Sequence, residues 1–205
     1  MTEDAVELEL RDRLKLIESM IAEGRRTTES FAWTFVLWGL AYYVAIAWST
    51  KGSTGRIWGS SPIAWPVTMA ACFVLTLFLG LRKGPAHPMT THGRAISSIW
   101  ISMGISMFVL LLTLGLCGRG DQQLFIAVIA AMMGTTNSAS AILLKWKQQF
   151  ACAVVWWAAV VVSLLGTVAQ STIAFLVAIF LCQIVFGIYG MRCEARARQQ
   201  GANHA

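Results

Sequence analysis

Six long apolar segments, separated by short polar connections, dominate the pattern of this chain. Each has room for a membrane-spanning helix, which needs roughly 20 apolar residues to cross the hydrocarbon core of a bilayer. The segments are Phe31–Trp48, Pro62–Leu81, Ala95–Leu116, Gln122–Leu144, Phe150–Gly166 and Thr172–Met191. The sequence therefore predicts an all-α integral membrane protein with six transmembrane helices, called spans 1 to 6 in chain order.

A different periodicity precedes span 1. Four apolar residues recur at intervals of four, three and four positions: Leu10, Leu14, Ile17 and Ile21. This spacing lines one face of a helix, and charged residues occupy the other faces. Gly24 then interrupts the pattern before a polar run that ends at Ser30. We expect an amphipathic helix over about Glu3–Glu23, a hinge at Gly24, and then span 1.

Basic residues set the expected orientation. Thirteen lysine and arginine residues lie before span 1, between spans 2 and 3, between spans 4 and 5, and after span 6. The other side has only three, which are Lys51, Arg56 and Arg119. Because the basic side of a membrane protein faces the cytoplasm, both termini are expected there. The chain then divides into a cytoplasmic helix and hinge over 1–30, a bundle over 31–191, and a basic cytoplasmic tail over 192–205.

Composition supports the membrane class and limits the possible partners. The chain is 57% hydrophobic and 13% charged, about half the charged fraction of a soluble domain. Its net charge of +6 is explained by topology and by contact with the lipid bilayer, so no nucleic acid partner is expected. The layout resembles that of small six-span bacterial membrane proteins, which implies the plasma (inner) membrane.

Aspartate, glutamate, lysine, arginine and histidine are missing from the cores of all six apolar segments. Such residues inside a membrane usually mark proton relays, ion paths or catalysis. The chain also has no HExxH, Walker A or GxSxG motif. We therefore predict no catalytic residue, metal or cofactor. An enzyme acting on lipid is the least favoured alternative, because its interfacial candidates are only His87, His92 and Cys193.

The strongest polar cluster lies in span 4. It contains Thr135, Thr136, Asn137 and Ser138. Successive helical residues are about 100° apart, so these side chains cover most of the circumference and should be surrounded by protein or water. Two interpretations remain open. One is a solute path, and the other is close helix packing along rows of small residues such as Ala130, Gly134 and Ser138.

Other polar residues extend both interpretations. Span 3 has a serine every fourth residue, at Ser98, Ser102 and Ser106. We expect this row to face span 4, either as a packing surface or as part of a polar path. Gln183 in span 6 is a lone amide that should bond to a neighbouring helix, and Tyr42 and Tyr43 of span 1 could do the same.

Two functional hypotheses follow. The first is a non-enzymatic membrane protein that acts through protein partners or self-association, using the helix that carries Leu10, Leu14, Ile17 and Ile21. The alternative is a transporter or channel subunit for a neutral or cationic small solute, with a polar path along spans 3 and 4.

Overall fold

The computed structural model describes residues 3–52, 64–83, 91–117 and 121–202, and these ranges are helical with no β-strand. His87, one of the interfacial residues considered above, lies outside the described residues. The helices are α1 Glu3–Ser30, α2 Ala32–Gly52, α3 Ala64–Lys83, α4 Thr91–Cys117, α5 Gln122–Leu144, α6 Lys147–Leu165, α7 Val168–Ile179 and α8 Phe186–Ala202. A π-helical segment, Phe180–Val185, joins α7 to α8.

Six helical stretches of the described chain are long and apolar enough to cross a membrane: α2, α3, α4, α5, α6 and the continuous run from α7 to α8. They support a multi-pass membrane protein. Helix α5 has the bounds expected for span 4, whereas α6 begins at Lys147, three residues before the expected start of span 5. The last stretch continues as helix to Ala202, so the segment expected as a tail is helical over most of its length.

The prediction of a hinge at Gly24 is wrong. Helix α1 continues through Gly24 to Ser30, and the hydroxyl of Thr28 donates to the Gly24 carbonyl at 3.1 Å. Glycine costs only about 1 kcal/mol inside a helix, and here it is buried where α1 packs on α8, α4 and α5. The chain turns instead at Phe31, just before α2.

The centre of the bundle is the antiparallel pair α5 and α6. In α5, 56% of the residues are buried. Helix α6 packs on α5 and on the last helical stretch. Helix α3 rests on α2, while α4 rests on α5 and α1. Only 17% of the residues of the α3 span and 11% of those of the α4 span are buried. Most of the surface of these two outer helices is therefore left for contact with lipid.

A two-residue turn joins α5 to α6. Lys145 adopts the left-handed conformation, with φ 48° and ψ 43°, and the Trp146 amide donates to the Ala141 carbonyl at 2.9 Å. The Trp146 ring is buried and lies 5.1 Å from the ring of Phe186. The turn therefore closes the pair while its aromatic residue fixes the beginning of α6 against α8.

Helix α8 approaches α2 closely because it has glycine at the contact. A Cβ atom on Gly187 would lie 2.7 Å from Val36 Cγ2, and one on Gly190 would lie 2.7 Å from Ala32 Cβ. Real Cβ atoms essentially never come that near to another heavy atom. The absence of two side chains is therefore what allows this helix pair to pack.

Candidate functional site

The polar cluster of span 4 lies on α5 and is largely buried. Thr136, Asn137 and Ser138 are buried, whereas Thr135 is exposed. Several of these side chains bond back to their own helix, with the Thr136 hydroxyl donating to the Met132 carbonyl at 2.8 Å. The cluster therefore satisfies part of its hydrogen-bonding capacity within α5, as hydroxyl side chains in helices commonly do.

The small-residue row of α5 receives an indole ring. Ala130, Gly134 and Ser138 are all buried. A Cβ atom on Gly134 would lie 2.5 Å from both Cδ1 and Nε1 of Trp157. The row thus forms a groove for a large side chain of α6, whereas small-residue rows more often face each other across a helix pair.

The serine row of span 3 does not meet the α5 cluster. Ser98, Ser102 and Ser106 are exposed on α4. Ser98 donates to the Arg94 carbonyl at 2.8 Å, and Ser106 to the Ser102 carbonyl at 2.9 Å. Apolar residues of α4, Ile96 and Met107, are buried instead. The described structure therefore does not bring this row together with Asn137.

A different group of polar side chains is buried in the core, and we call it the buried polar layer. It consists of Asn137 and Ser140 on α5, Gln149 and Trp156 on α6, and Gln183 in the π-helical segment. Each is at most 2% exposed. The following atoms have no hydrogen-bond partner within the described protein: Asn137 Oδ1, Ser140 Oγ, Gln149 Nε2 and Oε1, Trp156 Nε1 and Gln183 Oε1.

Two observed contacts set the heights of these residues along the bundle axis. Gly134 touches Trp157, and the Cys182 thiol lies 3.5 Å from the Cys152 carbonyl oxygen, to which it donates. A helix rises 1.5 Å per residue, so the five side chains of the layer originate within a slab about 10 Å thick. On α6 alone the layer extends over two helical turns, from Gln149 to Trp156, so its members lie at different depths in the bundle.

The π-helical segment places Gln183 in this layer. Short π-helical insertions in α-helices occur frequently at functional sites. The Cβ atom of Gln183 would lie only 2.9 Å from a Cβ on Gly39 of α2. Close packing of the Gln183 Cβ atom on Gly39 of α2 therefore fixes the point from which the amide side chain extends.

Leaving these groups without partners is costly. A buried polar group without a hydrogen bond costs about 1–3 kcal/mol, and the layer has six such atoms. The total free energy of unfolding of a domain is typically about 5–15 kcal/mol. If nothing else bonded to these six atoms, their summed cost would be similar in size to the free energy of unfolding of a whole domain.

Sequence reasoning identified Asn137 and Gln183 as candidate residues but did not select Ser140, Gln149 or Trp156. Gln149 was overlooked because it directly precedes the expected start of span 5. The missed signal is helical spacing: Gln149, Cys152 and Trp156 recur at intervals of three and four and share the buried face of α6.

The tyrosines of span 1 have two different environments. The Tyr43 hydroxyl donates to the Leu176 carbonyl at 2.8 Å and so bonds to a neighbouring helix. Tyr42 is buried among rings, with centroids 6.1 Å from both Trp65 and Phe175. Both residues therefore stabilise the contact of α2 with its neighbours and lie outside the buried polar layer.

Known proteins offer no guide to this site. No family model, curated protein or solved structure matches this chain. Its function therefore has to be inferred from the buried polar layer and from α1.

The two halves of α1 differ in their surroundings. Leu10, Leu14 and Ile17 are 55%, 59% and 49% exposed. Two positions further along the same helix, Gly24 and Thr28, are buried against the bundle. Seven residues separate Leu10 from Ile17 and Ile17 from Gly24, so these three positions lie close to one line along the helix. The face that packs on the bundle thus continues as an exposed apolar row.

Arg25 links α1 to the end of α5. Its guanidinium group donates to the Leu144 carbonyl at 2.9 Å and also to the Lys145 carbonyl. The last carbonyls of a helix lack partners within that helix and carry partial negative charge. Arg25 therefore caps α5, beside an open cleft of about 380 Å³ that Ile21 and Ala22 also line.

Proposed function

We propose that this chain is a non-enzymatic plasma-membrane protein that acts through protein association, with the N-terminal half of α1 as its binding element. The observation that supports the proposal is the exposed apolar row of Leu10, Leu14 and Ile17. The proposal includes both termini on the cytoplasmic side, where this row would be surrounded by water.

Charge supports the cytoplasmic orientation. Arg25 of α1 bonds to the end of α5 beside Lys145, so two of the basic segments share one end of the bundle. The full sequence has thirteen basic residues in the segments assigned to this side and three in the others. This asymmetry is the usual mark of a cytoplasmic face.

Protein is a better partner than lipid for the apolar row. The chain has eight carboxylates up to Glu29 against five basic residues. Anionic lipid at the inner leaflet attracts basic segments, at about 1 kcal/mol per lysine or arginine. An acidic helix gains nothing from that attraction, so a second copy of α1 or another protein is the favoured occupant.

The strength expected of this contact is modest. Full burial of a leucine or isoleucine side chain contributes about 1.5–3 kcal/mol, so each half-exposed residue of the row can contribute about 1 kcal/mol. Three such residues on one helix give only weak binding by themselves. Anchoring both partners in one membrane raises their effective concentration and so strengthens the contact.

A matched pair of variants tests the proposal. Leu14 and Leu16 are both leucines of α1, 59% and 61% exposed, but they lie about 200° apart around the helix. We expect Leu14→Ser to reduce co-purification of a second, differently tagged copy or of a host membrane protein, and Leu16→Ser to leave it unchanged. Equal co-purification with both variants would refute the proposal, provided that membrane insertion is normal.

A further inference from the structure

We propose that α1 pairs with the α1 of a second copy of this chain in an antiparallel arrangement, in which Leu10 of each copy faces Ile21 of the other and Leu14 faces Ile17. The inference rests on the proposed function, because it names the partner and the geometry of the exposed apolar row. It is supported by the extent of that row, by the charges along its edge and by the course of α1 at the end of the bundle.

The apolar row supplies four layers for a helix pair. Its residues recur at intervals of four, three and four, which is the spacing of the contact seam in a two-helix coiled coil: Leu10, Leu14, Ile17 and Ile21. The next two positions of the same pattern, Gly24 and Thr28, are buried against the bundle. The length available to a partner helix therefore ends near Ile21, and an antiparallel partner fills all four layers from both sides.

Charges of alternating sign follow one edge of this row at every seventh residue: Asp4, Arg11, Glu18 and Arg25. In an antiparallel pair this edge lies against the same edge of the partner. The register that aligns the apolar layers places Arg11 opposite Glu18 of the other copy, and it brings the first turn of the partner helix, which has Asp4 in its sequence, toward Arg25. Opposite charges therefore face each other along the whole edge, and charges beside a coiled-coil seam determine the orientation of the helices.

A parallel pair would gain less from these charges. There the edge that carries Glu18 would face the other edge of the row, where the residues at the same spacing are Val6, Arg13, Met20 and Thr27. Only Arg13 is charged among these four, so each copy would contribute a single attractive contact, between Arg13 and Glu18. The charge pattern therefore favours the antiparallel orientation.

The open cleft beside the end of α5 is lined by charges of both signs. Its carboxylates are Glu18 and Glu29, and its cations are Arg25 and Lys145. No ion pair within the described part of the chain involves Glu18 or Lys145. Arg25 uses two of its five N–H groups on carbonyls of the α5 end, so three remain. This mixed lining suits a partner helix of alternating charge better than it suits a purely anionic ligand.

The course of α1 fits an antiparallel pair. Two copies with the same orientation in one membrane are related by a two-fold axis along the membrane normal, and this axis makes antiparallel only those helices that run across it. Phe35 of α2 and Trp146 both contact the ring of Phe186 and so lie at similar depth. Arg25 precedes Phe35 by ten residues, about 15 Å along a helix, yet it bonds to the Leu144 carbonyl near Trp146. Helix α1 therefore leaves the direction of α2 and crosses the end of the bundle.

Co-purification of two differently tagged copies from one membrane tests the pairing. When both copies carry Arg11→Glu, or both carry Glu18→Arg, like charges face each other in two pairs. We expect recovery of the second copy to fall by about fivefold. When one copy carries Arg11→Glu and the other carries Glu18→Arg, every facing pair is again of opposite charge, and recovery should return to the natural level.

The matched control combines Arg13→Glu in one copy with Glu18→Arg in the other. This combination would restore a parallel pair and should leave recovery low in the antiparallel pair. Disulfide cross-linking in a cysteine-free background gives a second measurement, in which Leu10→Cys of one copy should cross-link to Ile21→Cys of the other and far less to Leu10→Cys.

Two results would overturn the inference. One is recovery that stays low when Arg11→Glu and Glu18→Arg copies are mixed, and the other is cross-linking of position 10 to position 10 in preference to position 21. Failure of the proposed function is a separate result. If the copies do not pair but a host membrane protein is lost with Leu14→Ser and retained with Leu16→Ser, the antiparallel pair is wrong and the binding role of α1 remains.

Discussion

Replacing Gly187 by alanine tests the close packing of α8 on α2. The new Cβ atom would lie 2.7 Å from Val36 Cγ2 and 3.1 Å from both the Ala32 carbonyl oxygen and the Val36 amide nitrogen. Two of these three atoms belong to the backbone and cannot rotate away. The third belongs to valine, whose χ1 angle is nearly fixed in a helix. The helices must therefore separate to accept the methyl group.

The expected cost follows from two opposing effects. Inserting a methyl group into a well-packed contact costs about 1–3 kcal/mol. Alanine favours the helix over glycine by about 1 kcal/mol, which offsets part of this cost. Gly104→Ala is the control, since a Cβ atom there would meet nothing within 4 Å. The two variants should therefore differ in unfolding free energy by about 1–3 kcal/mol, with Gly187→Ala the less stable.

Unfolding in mixed micelles of mild detergent and dodecyl sulfate, followed by tryptophan fluorescence, measures this difference. Val36→Ala removes the nearest side-chain atom, so the cost of Gly187→Ala should be smaller in that background, as expected for residues in contact. Two variants of equal stability would contradict the packing argument. So would a cost of Gly187→Ala that is the same with and without Val36→Ala.

Two further substitutions test the ends of helices, by the same unfolding assay. Arg25→Met removes the cap of α5. Hydrogen bonds to charged groups are worth about 1.5–3 kcal/mol, and we expect a smaller loss of stability here because the contact is only partly buried. The control, Arg11→Met, removes an exposed ion pair with Glu7 and should cost under about 0.5 kcal/mol. An equal effect of the two would refute the capping role. Thr167→Ala removes a capping box formed with Gln170 at the start of α7 and should cost about 1 kcal/mol, and an unchanged stability would show that this cap contributes nothing.

The length of the apolar runs was enough to predict the six spanning segments, because burial in a bilayer requires long runs of apolar residues regardless of how the helices pack. The pattern before span 1 led to a wrong prediction at Gly24, since a helix can retain a glycine when tertiary contacts compensate for its low propensity. The left-handed conformation of Lys145 was not predicted either, because a left-handed residue is usually glycine or asparagine.

The candidate site could be predicted only in part. Asn137 and Gln183 were found because a polar side chain within an apolar run is visible without any structure. Their grouping with Gln149 depends on the rotation of α6 and on the π-helical insertion, and neither is encoded in a local pattern. The exposure of Ser102 was missed for the same reason, because helical spacing defines a face but not the neighbour that this face meets.

The uneven burial of the spanning helices has a consequence for how this sequence can change over time. On α3 and α4, where few residues are buried, one apolar side chain can replace another with little effect on packing. On α5, a substitution at Gly134 must fit against Trp157 of α6, and one at Ala130 must fit a fully buried position. Sequence drift should therefore be fast on the two outer helices and slow on α5, so that distant descendants of this chain retain the small residues of α5 after the rest has become unrecognisable.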